Sequence, residues 1–253
     1  TTEIYTLSLH DALPISSFRV IRSLLDRVED SATGASKVKS LKPKIPAQRL
    51  QQIRRVAKVL KNTVYTKMPF AKGVHPISKD IVKLIVNNTW GPTLSITGAD
   101  GIPTLGNAGN VLRPRTTLKL SFRLPPTADA KKVGAEVKKL LEAKPPYGAR
   151  VKFQVDSAMG GWNAAAVAPW LEKSMQRASK AHFGKDAVYM GTGGSIPFMG
   201  MLGKKFPKAQ FLVTGLLGPH SNAHGPNEFL HVPTGKKLTA CVAQVIADHH
   251  IRG

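Results

Sequence analysis

Two histidines four residues apart, His220 and His224, lie in a loop bracketed by two Gly-Pro pairs. The loop follows an apolar run at 210–214, which predicts a strand, and loops at the ends of buried strands often carry metal ligands or catalytic groups. On a helix this spacing would place both imidazoles on one face as metal ligands. The Gly-Pro pairs favour a loop instead, where the alternative is turn formation with Asn227 capping the following helix.

Two further features could bind a substrate. The glycine-rich residues 191–197 could expose backbone N–H groups to an anion, but they lack the Gly-Lys-Ser/Thr ending of a P-loop, and tight packing also explains them. Arg123 lies on the polar face of a predicted strand, where an arginine is usually a surface residue, although its planar guanidinium is suited to a substrate carboxylate. The remaining histidines have no partners by spacing and are interpreted as structural: His75, His231, His249 and His250.

The formal net charge of +22 is concentrated in a segment without acidic residues. Between Asp30 and Asp80 the chain carries only basic charges, at Lys37, Lys39, Lys42, Lys44, Arg49, Arg54, Arg55, Lys58, Lys61, Lys67, Lys72 and Lys79. Such a field favours anionic partners, including nucleic acid and membrane surfaces. Few aromatic residues are interleaved for base stacking, which favours a solvated basic face.

Composition limits the possible classes of protein. A chain of 253 residues with 42% hydrophobic residues can form one large domain or two ordinary ones. The single cysteine, Cys241, excludes an intrachain disulfide and a zinc site built from several thiolates. No apolar run reaches the roughly 18 residues that a membrane span requires.

Hydrophobic periodicity predicts an α/β fold. The first half has the order helix, strand, strand, helix, strand, which matches a βαββαβ lid without its first strand. The predicted elements are helices at 17–30, 50–64 and 133–141 and strands at 93–97, 116–124 and 151–155. Residues 3–9 alternate loosely and could fill that edge adventitiously. Beyond residue 156 we predict part of an α/β layer structure, with a helix from Pro169 to His182 closed by Gly184, a buried strand at 211–213 and a helix at 238–249.

Residues 1–16 do not match the rest of the chain in character. His10 and Asp11 interrupt the apolar core that a signal peptide needs, and the cationic start is missing. The segment resembles a translated sequencing adapter, so we expect the native N-terminal part to be lost.

Taken together, three ordered motifs carry a family resemblance. Residues 110–125, then 193–197, then 224–228 resemble the M20 family of dizinc metallopeptidases, in particular its cytosolic dipeptidase and carnosinase-like branch. The resemblance implies a foreign-looking segment at 1–16, a lid and dimerisation domain at 17–162 and the C-terminal portion of the catalytic domain at 163–253.

The same resemblance implies roles for five residues. His224 would be a metal ligand, Arg123 would bind the substrate's C-terminal carboxylate, and Asn110 would also reach the substrate. Ser195, with the backbone at Gly194, would lie against the substrate near the metals. The implied cofactor is two zinc ions, with manganese or cobalt as alternatives. The implied context is a cytoplasmic homodimer that acts on dipeptides, without a membrane and without nucleic acid.

The chain departs from the family pattern in its missing acids. The family's His-x-Asp pair, its bridging Asp and its Glu-Glu pair precede the lid, and none occurs here; the adjacent acids Glu29 and Asp30 are out of place. The lid histidine belongs just before Ser17, and Thr192 stands where close relatives have Glu. We therefore expect a parent protein that hydrolyses dipeptides or small aminoacyl substrates, and an inactive 253-residue chain. The alternative is a non-catalytic dimerisation or binding module whose basic face holds an acidic partner.

Overall fold

A computed structural model describes residues 16–109, 111, 113–192 and 197–252. The described chain divides into two compact units. The first comprises residues up to Trp162 together with the described part of Gly191–Pro197, and the second comprises Asn163–Met190 and the residues from Phe198 onwards. None of the helices in these ranges combines the length and the apolar character needed to cross a bilayer.

The first unit contains five α-helices and two strands among its described residues. In chain order they are α1 (Ser17–Leu25), α2 (Ala47–Leu60), α3 (Thr63–Thr66), α4 (Ile81–Thr89), β1 (Thr93–Asp100), β2 (Thr117–Arg123) and α5 (Ala130–Glu142). Side chains cap three of these helices, because the oxygens of Ser16, Asp80 and Asp129 accept N–H groups that have no partner within the helix. Helix α4 is the element here that periodicity did not predict.

The two strands pair antiparallel, with Thr93 opposite Arg123 and Leu94 opposite Phe122. Along β2, exposed and half-buried residues alternate, which confirms the predicted polar and apolar faces. The fold class is also confirmed, since the chain is a mixed helix and strand structure with a small sheet.

Helices α1 and α5 pack over the apolar face of this sheet. Their core consists of fully or nearly buried aliphatic side chains, namely Val20, Leu24, Val28, Val38, Leu41, Val133, Val137 and Leu141. Val38 and Leu41 come from a connection that the sequence predicted to be polar, and a short 3₁₀ turn at Lys39–Leu41 buries them. The Glu136 carboxylate of α5 accepts the N–H groups of Lys39 (2.8 Å) and Ser40 (2.9 Å) and so fixes that turn.

A second core joins α2 to α4. It contains Ile53, Val56, Ala57, Ile85 and Trp90. The apolar stripe of α2 is therefore a core face, as predicted, and its basic side chains at 54, 55 and 58 are exposed.

The predicted strand at 151–155 is wrong, although its apolar side chains do pack. Val151 and Phe153 lie against the core of α1 and α5, but the segment forms no ladder with any described strand. The Phe153 N–H donates to Glu142 Oε1 (2.7 Å), and its carbonyl accepts from Lys138 Nζ (3.2 Å). Side chains of α5 thus meet the backbone groups that a neighbouring strand would otherwise pair.

The second unit is built on helices α6 (Pro169–Phe183), α7 (Pro197–Lys205) and α8 (Val232–Ile251). Helix α6 confirms its prediction, with Pro169 in the first turn and Gly184 ending it in the left-handed region at φ 69°. The predicted buried strand at 211–213 is wrong, since Leu212 is 38% exposed and Val213 is 61% exposed. A buried strand needs paired neighbours, and the described part of this unit contains no strand.

Helices α6 and α8 are joined by one carboxylate. The buried Ser174 hydroxyl donates to Asp248 Oδ2 (2.5 Å), and Arg177 forms an ion pair with the same side chain. The Ser174 hydroxyl first, and then Arg177, hold the pKa of Asp248 below the ordinary aspartate value of 3.8. The charged form of Asp248 therefore stabilises the pair of helices.

This interaction predicts a pH-dependent effect of Asp248→Asn. Because the folded pKa is lowered, the stabilisation is present above pH 3.8 and is lost as the pH falls through the folded value. At pH 7 the variant should melt at a lower temperature than the native chain in circular dichroism, and the gap should close in acid. Asp186→Asn, which removes an exposed pair with Lys180, is the control and should change little. A gap that stays constant into acid would contradict the assignment.

Candidate functional site in the loop 217–228

The loop 217–228 has an unusual backbone. Four residues other than glycine have positive φ: His220 (61°), Asn222 (51°), His224 (61°) and Asn227 (58°). Histidine and asparagine tolerate this left-handed region better than most residues, but four in eight positions are rare. The two histidines therefore lie in a loop rather than on a helix, as the Gly-Pro pairs predicted. Such backbone strain persists where surrounding contacts enforce it and is common at functional sites.

Hydrogen bonds inside the loop enforce this conformation. The buried Ser221 hydroxyl donates to the Gly218 carbonyl (2.9 Å), and the Ser221 carbonyl accepts the Phe229 N–H (3.2 Å). Asn222 accepts the Gly225 N–H at its carbonyl (2.9 Å) and donates through Nδ2 to the Pro226 carbonyl (2.6 Å). The loop is thus closed on itself at two points.

The loop is also fastened to the start of α8. His231 is the N-cap of that helix, where its Nδ1 accepts the Thr234 N–H (3.3 Å) and is bonded to the Thr234 hydroxyl (2.9 Å). His231 is therefore structural, as expected, and the alternative that Asn227 caps the helix is wrong. A Cβ added at Gly218 would lie 2.4 Å from His231 Cβ, so only glycine allows this approach.

His224 presents an exposed imidazole from this fixed backbone. Its N–H donates to Glu228 Oε2 (2.7 Å), whereas its ring bonds to no described residue. A neutral imidazole of this kind is a common ligand of zinc. Within the described ranges no three His, Cys, Asp or Glu side chains group closely enough to hold a metal ion. His224 therefore fits as one ligand of a site that needs others.

Helix α6 positions the segment that leads to the glycine-rich residues 191–197. The Gln176 amide exchanges two hydrogen bonds with the backbone of Ala187, both 3.0 Å, and the Tyr189 hydroxyl donates to Glu172. Sequence reasoning missed this contact, although Glu172 and Gln176 are four apart on one face of α6. A Cβ added at Gly191 would lie 3.0 Å from Thr89 Cγ2, which supports tight packing as one cause of glycine there.

Arg123 ends β2 on its polar face. Its side chain is exposed, as expected, and forms no ion pair with any described residue. Three other predicted site residues, Asn110, Gly194 and Ser195, lie outside the described residues. Arg123 belongs to the first unit and His224 to the second, so no two of the five predicted residues meet within one described unit.

Comparison with known proteins identifies the family. The sequence profile of the peptidase dimerisation domain of M20 peptidases matches residues 17–149, which is more than half of the chain. The chain therefore belongs to the M20 peptidase family. A cysteinylglycine-S-conjugate dipeptidase from Corynebacterium striatum is 27% identical over 137 residues, which are 54% of this chain and 30% of that protein.

Solved structures share the fold at low sequence identity. Human carnosine dipeptidase 1 is 16% identical, with a TM-score of 0.67 over 94% of this chain and 50% of its own. The M20 family metallo-carboxypeptidase Sso-CP2 from Sulfolobus solfataricus is 19% identical, with a TM-score of 0.69 over 97% and 55%. The di-peptidase Dug1p from Saccharomyces cerevisiae is 18% identical, with a TM-score of 0.66 over 96% and 52%. The chain thus spans about half the length of these structures.

The contact between Gly218 and His231 predicts that Gly218→Ala disturbs the loop. The added methyl group has to displace the N-cap of α8, which should cost about 1–3 kcal/mol of folding free energy. Hydrogen exchange measured by mass spectrometry should show faster exchange at 218–235. Gly215→Ala is the matched control, since a Cβ there meets nothing within 4 Å. Equal exchange in the two variants would remove the proposed fastening.

Proposed function

We propose that the protein containing this chain hydrolyses peptide bonds in dipeptides or small aminoacyl substrates with the help of bound metal. The observation that carries the proposal is the M20 dimerisation domain at 17–149. Two relatives with dipeptidase in their names, from Corynebacterium striatum and Saccharomyces cerevisiae, support this class of substrate. The resemblance to the cytosolic dipeptidase branch suggests a cytoplasmic protein.

We propose His224 as a metal ligand of that enzyme. Its imidazole is exposed and has no described partner, while its backbone is held by Glu228 and by the closed loop. A ligand fixed in this way loses little conformational freedom when the metal binds. The metal, with zinc as the first candidate and manganese or cobalt as alternatives, would activate a water molecule and polarise the scissile carbonyl.

We assign substrate binding to Arg123, Asn110, Gly194 and Ser195. The exposed guanidinium of Arg123 has no described counter-ion and can donate two parallel hydrogen bonds to a C-terminal carboxylate. The other three assignments rest on the family motif. We also propose that residues 17–162 form a lid and dimerisation domain of a homodimer and that residues 163–253 belong to the catalytic domain.

A pair of histidine variants tests the catalytic proposal. In a polypeptide that restores the His-x-Asp and Glu-Glu motifs upstream of Ser17, His224→Ala should lower kcat/KM for dipeptides by about 100-fold or more and should reduce bound metal. His220→Ala, in the same loop and also with positive φ, is the control and should keep both. Equal activity of the two variants would overturn the role of His224.

The 253 residues by themselves should bind zinc weakly, because one histidine supplies too few ligands. Isothermal titration with zinc should show no tight two-site binding. Two tight sites would instead contradict the proposal that this chain is inactive alone.

The second candidate is a binding module for an acidic partner. It rests on the exposed basic residues of α2 and the absence of acids between Asp30 and Asp80. A gel shift with nucleic acid that weakens steeply with salt would favour this candidate. The hydrolase proposal expects no shift even at low salt.

A further inference from the structure

A slot opens in the first unit between β2 and the extended residues 151–153. Its cavity has a volume of about 90 Å³. The side chains that line it come from α1, from one side of β2 and from 151–153, with Leu141 of α5 at its base. It is the place left for the strand that the βαββαβ pattern lacks.

Backbone groups face this slot from both sides. The sheet has the order β1–β2, so the far edge of β2 has no strand beside it within the described residues. Across the slot, the Phe153 N–H and carbonyl point to α5. Because successive residues of an extended chain point their backbone groups in opposite directions, those of Lys152 point away from α5. Lys152 also lines the slot. Two open edges of this kind are a template for one added strand.

The two faces of the slot differ in chemistry. Ile21 and Leu25 of α1 line it, are only half-buried and are not part of the α1–α5 core. On the opposite face of the sheet, Lys119 and Lys152 are exposed on either side of the slot. No acidic residue occurs in β2 or at 150–154.

We propose that this slot binds one β-strand from a partner polypeptide, an extended segment with aliphatic residues at alternate positions and acidic residues between them. The aliphatic side chains cover Ile21 and Leu25, and the acidic side chains lie beside Lys119 and Lys152. Main-chain hydrogen bonds to the two edges supply affinity, and the alternate side chains supply specificity, as in other strand-addition complexes. The proposal does not depend on the hydrolase function.

A synthetic peptide tests the proposal on the full chain. The probe is the acetylated and amidated peptide Glu-Val-Glu-Val-Glu-Val-Glu, with binding measured by fluorescence anisotropy of a labelled copy. We expect saturable binding and slower hydrogen exchange at 117–123 and 150–154. A peptide with Lys at every Glu position should bind about tenfold more weakly at low salt. A peptide with Pro at its central Val should not bind, because it lacks a ladder N–H and breaks the strand.

Variants of the chain locate the site. Leu25→Asn should weaken binding about tenfold, since it removes apolar cover from the slot without altering the core. Val59→Asn, at an exposed apolar position on α2, is the matched control and should bind like the native chain. Circular dichroism checks that both fold, and Lys152→Glu, which should weaken binding of the acidic probe, serves if Leu25→Asn does not fold.

Four results would overturn the proposal. They are the absence of binding, equal binding of the Pro peptide, equal binding of the Lys peptide, and protection from exchange outside 117–123 and 150–154. Amides of β2 that are fully protected before peptide is added would mean that the chain itself fills the slot, which also overturns a partner strand.

Discussion

Helix α5 provides hydrogen-bond partners for three distant segments, and the rest of the first unit depends on it. Its Glu136 carboxylate holds the 3₁₀ turn at Lys39–Leu41, and its Glu142 carboxylate holds Phe153. In return, the Arg27 guanidinium donates to the carbonyls of Leu140 (3.0 Å) and Lys144 (3.0 Å) at the end of α5. These charge-assisted bonds satisfy the carbonyls that a helix end leaves without partners. A two-stranded sheet alone is marginally stable, so α5 and its partners supply what the missing strands do not.

The second unit follows the same logic with helix ends in place of a sheet. The N-cap of α8 is a histidine that also receives Gly218, so one side chain both starts the helix and seats the loop of His224. The Ser174–Asp248 contact then fixes α8 to α6, which in turn holds the segment that precedes the glycine-rich residues. Each link positions the next, and the candidate ligand His224 lies at the end of this series.

Sequence patterns predicted the helices best, because their signals are local. Pro169 and Gly184 marked both ends of α6, and the stripes of α1, α2 and α5 predicted their buried faces. The two failed strands show the limit of alternation, which predicts side-chain facing but not pairing. Phe153 has the predicted inward side chain, yet its backbone bonds to α5, and 211–213 has no strand beside it within the described residues. In the site, the Gly-Pro pairs predicted the loop. The roles of Glu228 and His231 depend on backbone geometry that residue types do not encode.

The contact between Ser174 and Asp248 joins residues 74 positions apart. It therefore closes a long span of chain that contains α7 and the loop of His224. The entropy of closing such a span rises only with the logarithm of its length, by about 0.6 kcal/mol for each doubling. Insertions or deletions between α7 and residue 217 should thus cost this unit little. The helix pair acts as a clasp around a segment whose length is free to vary, while the two ends that seat His224 stay fixed.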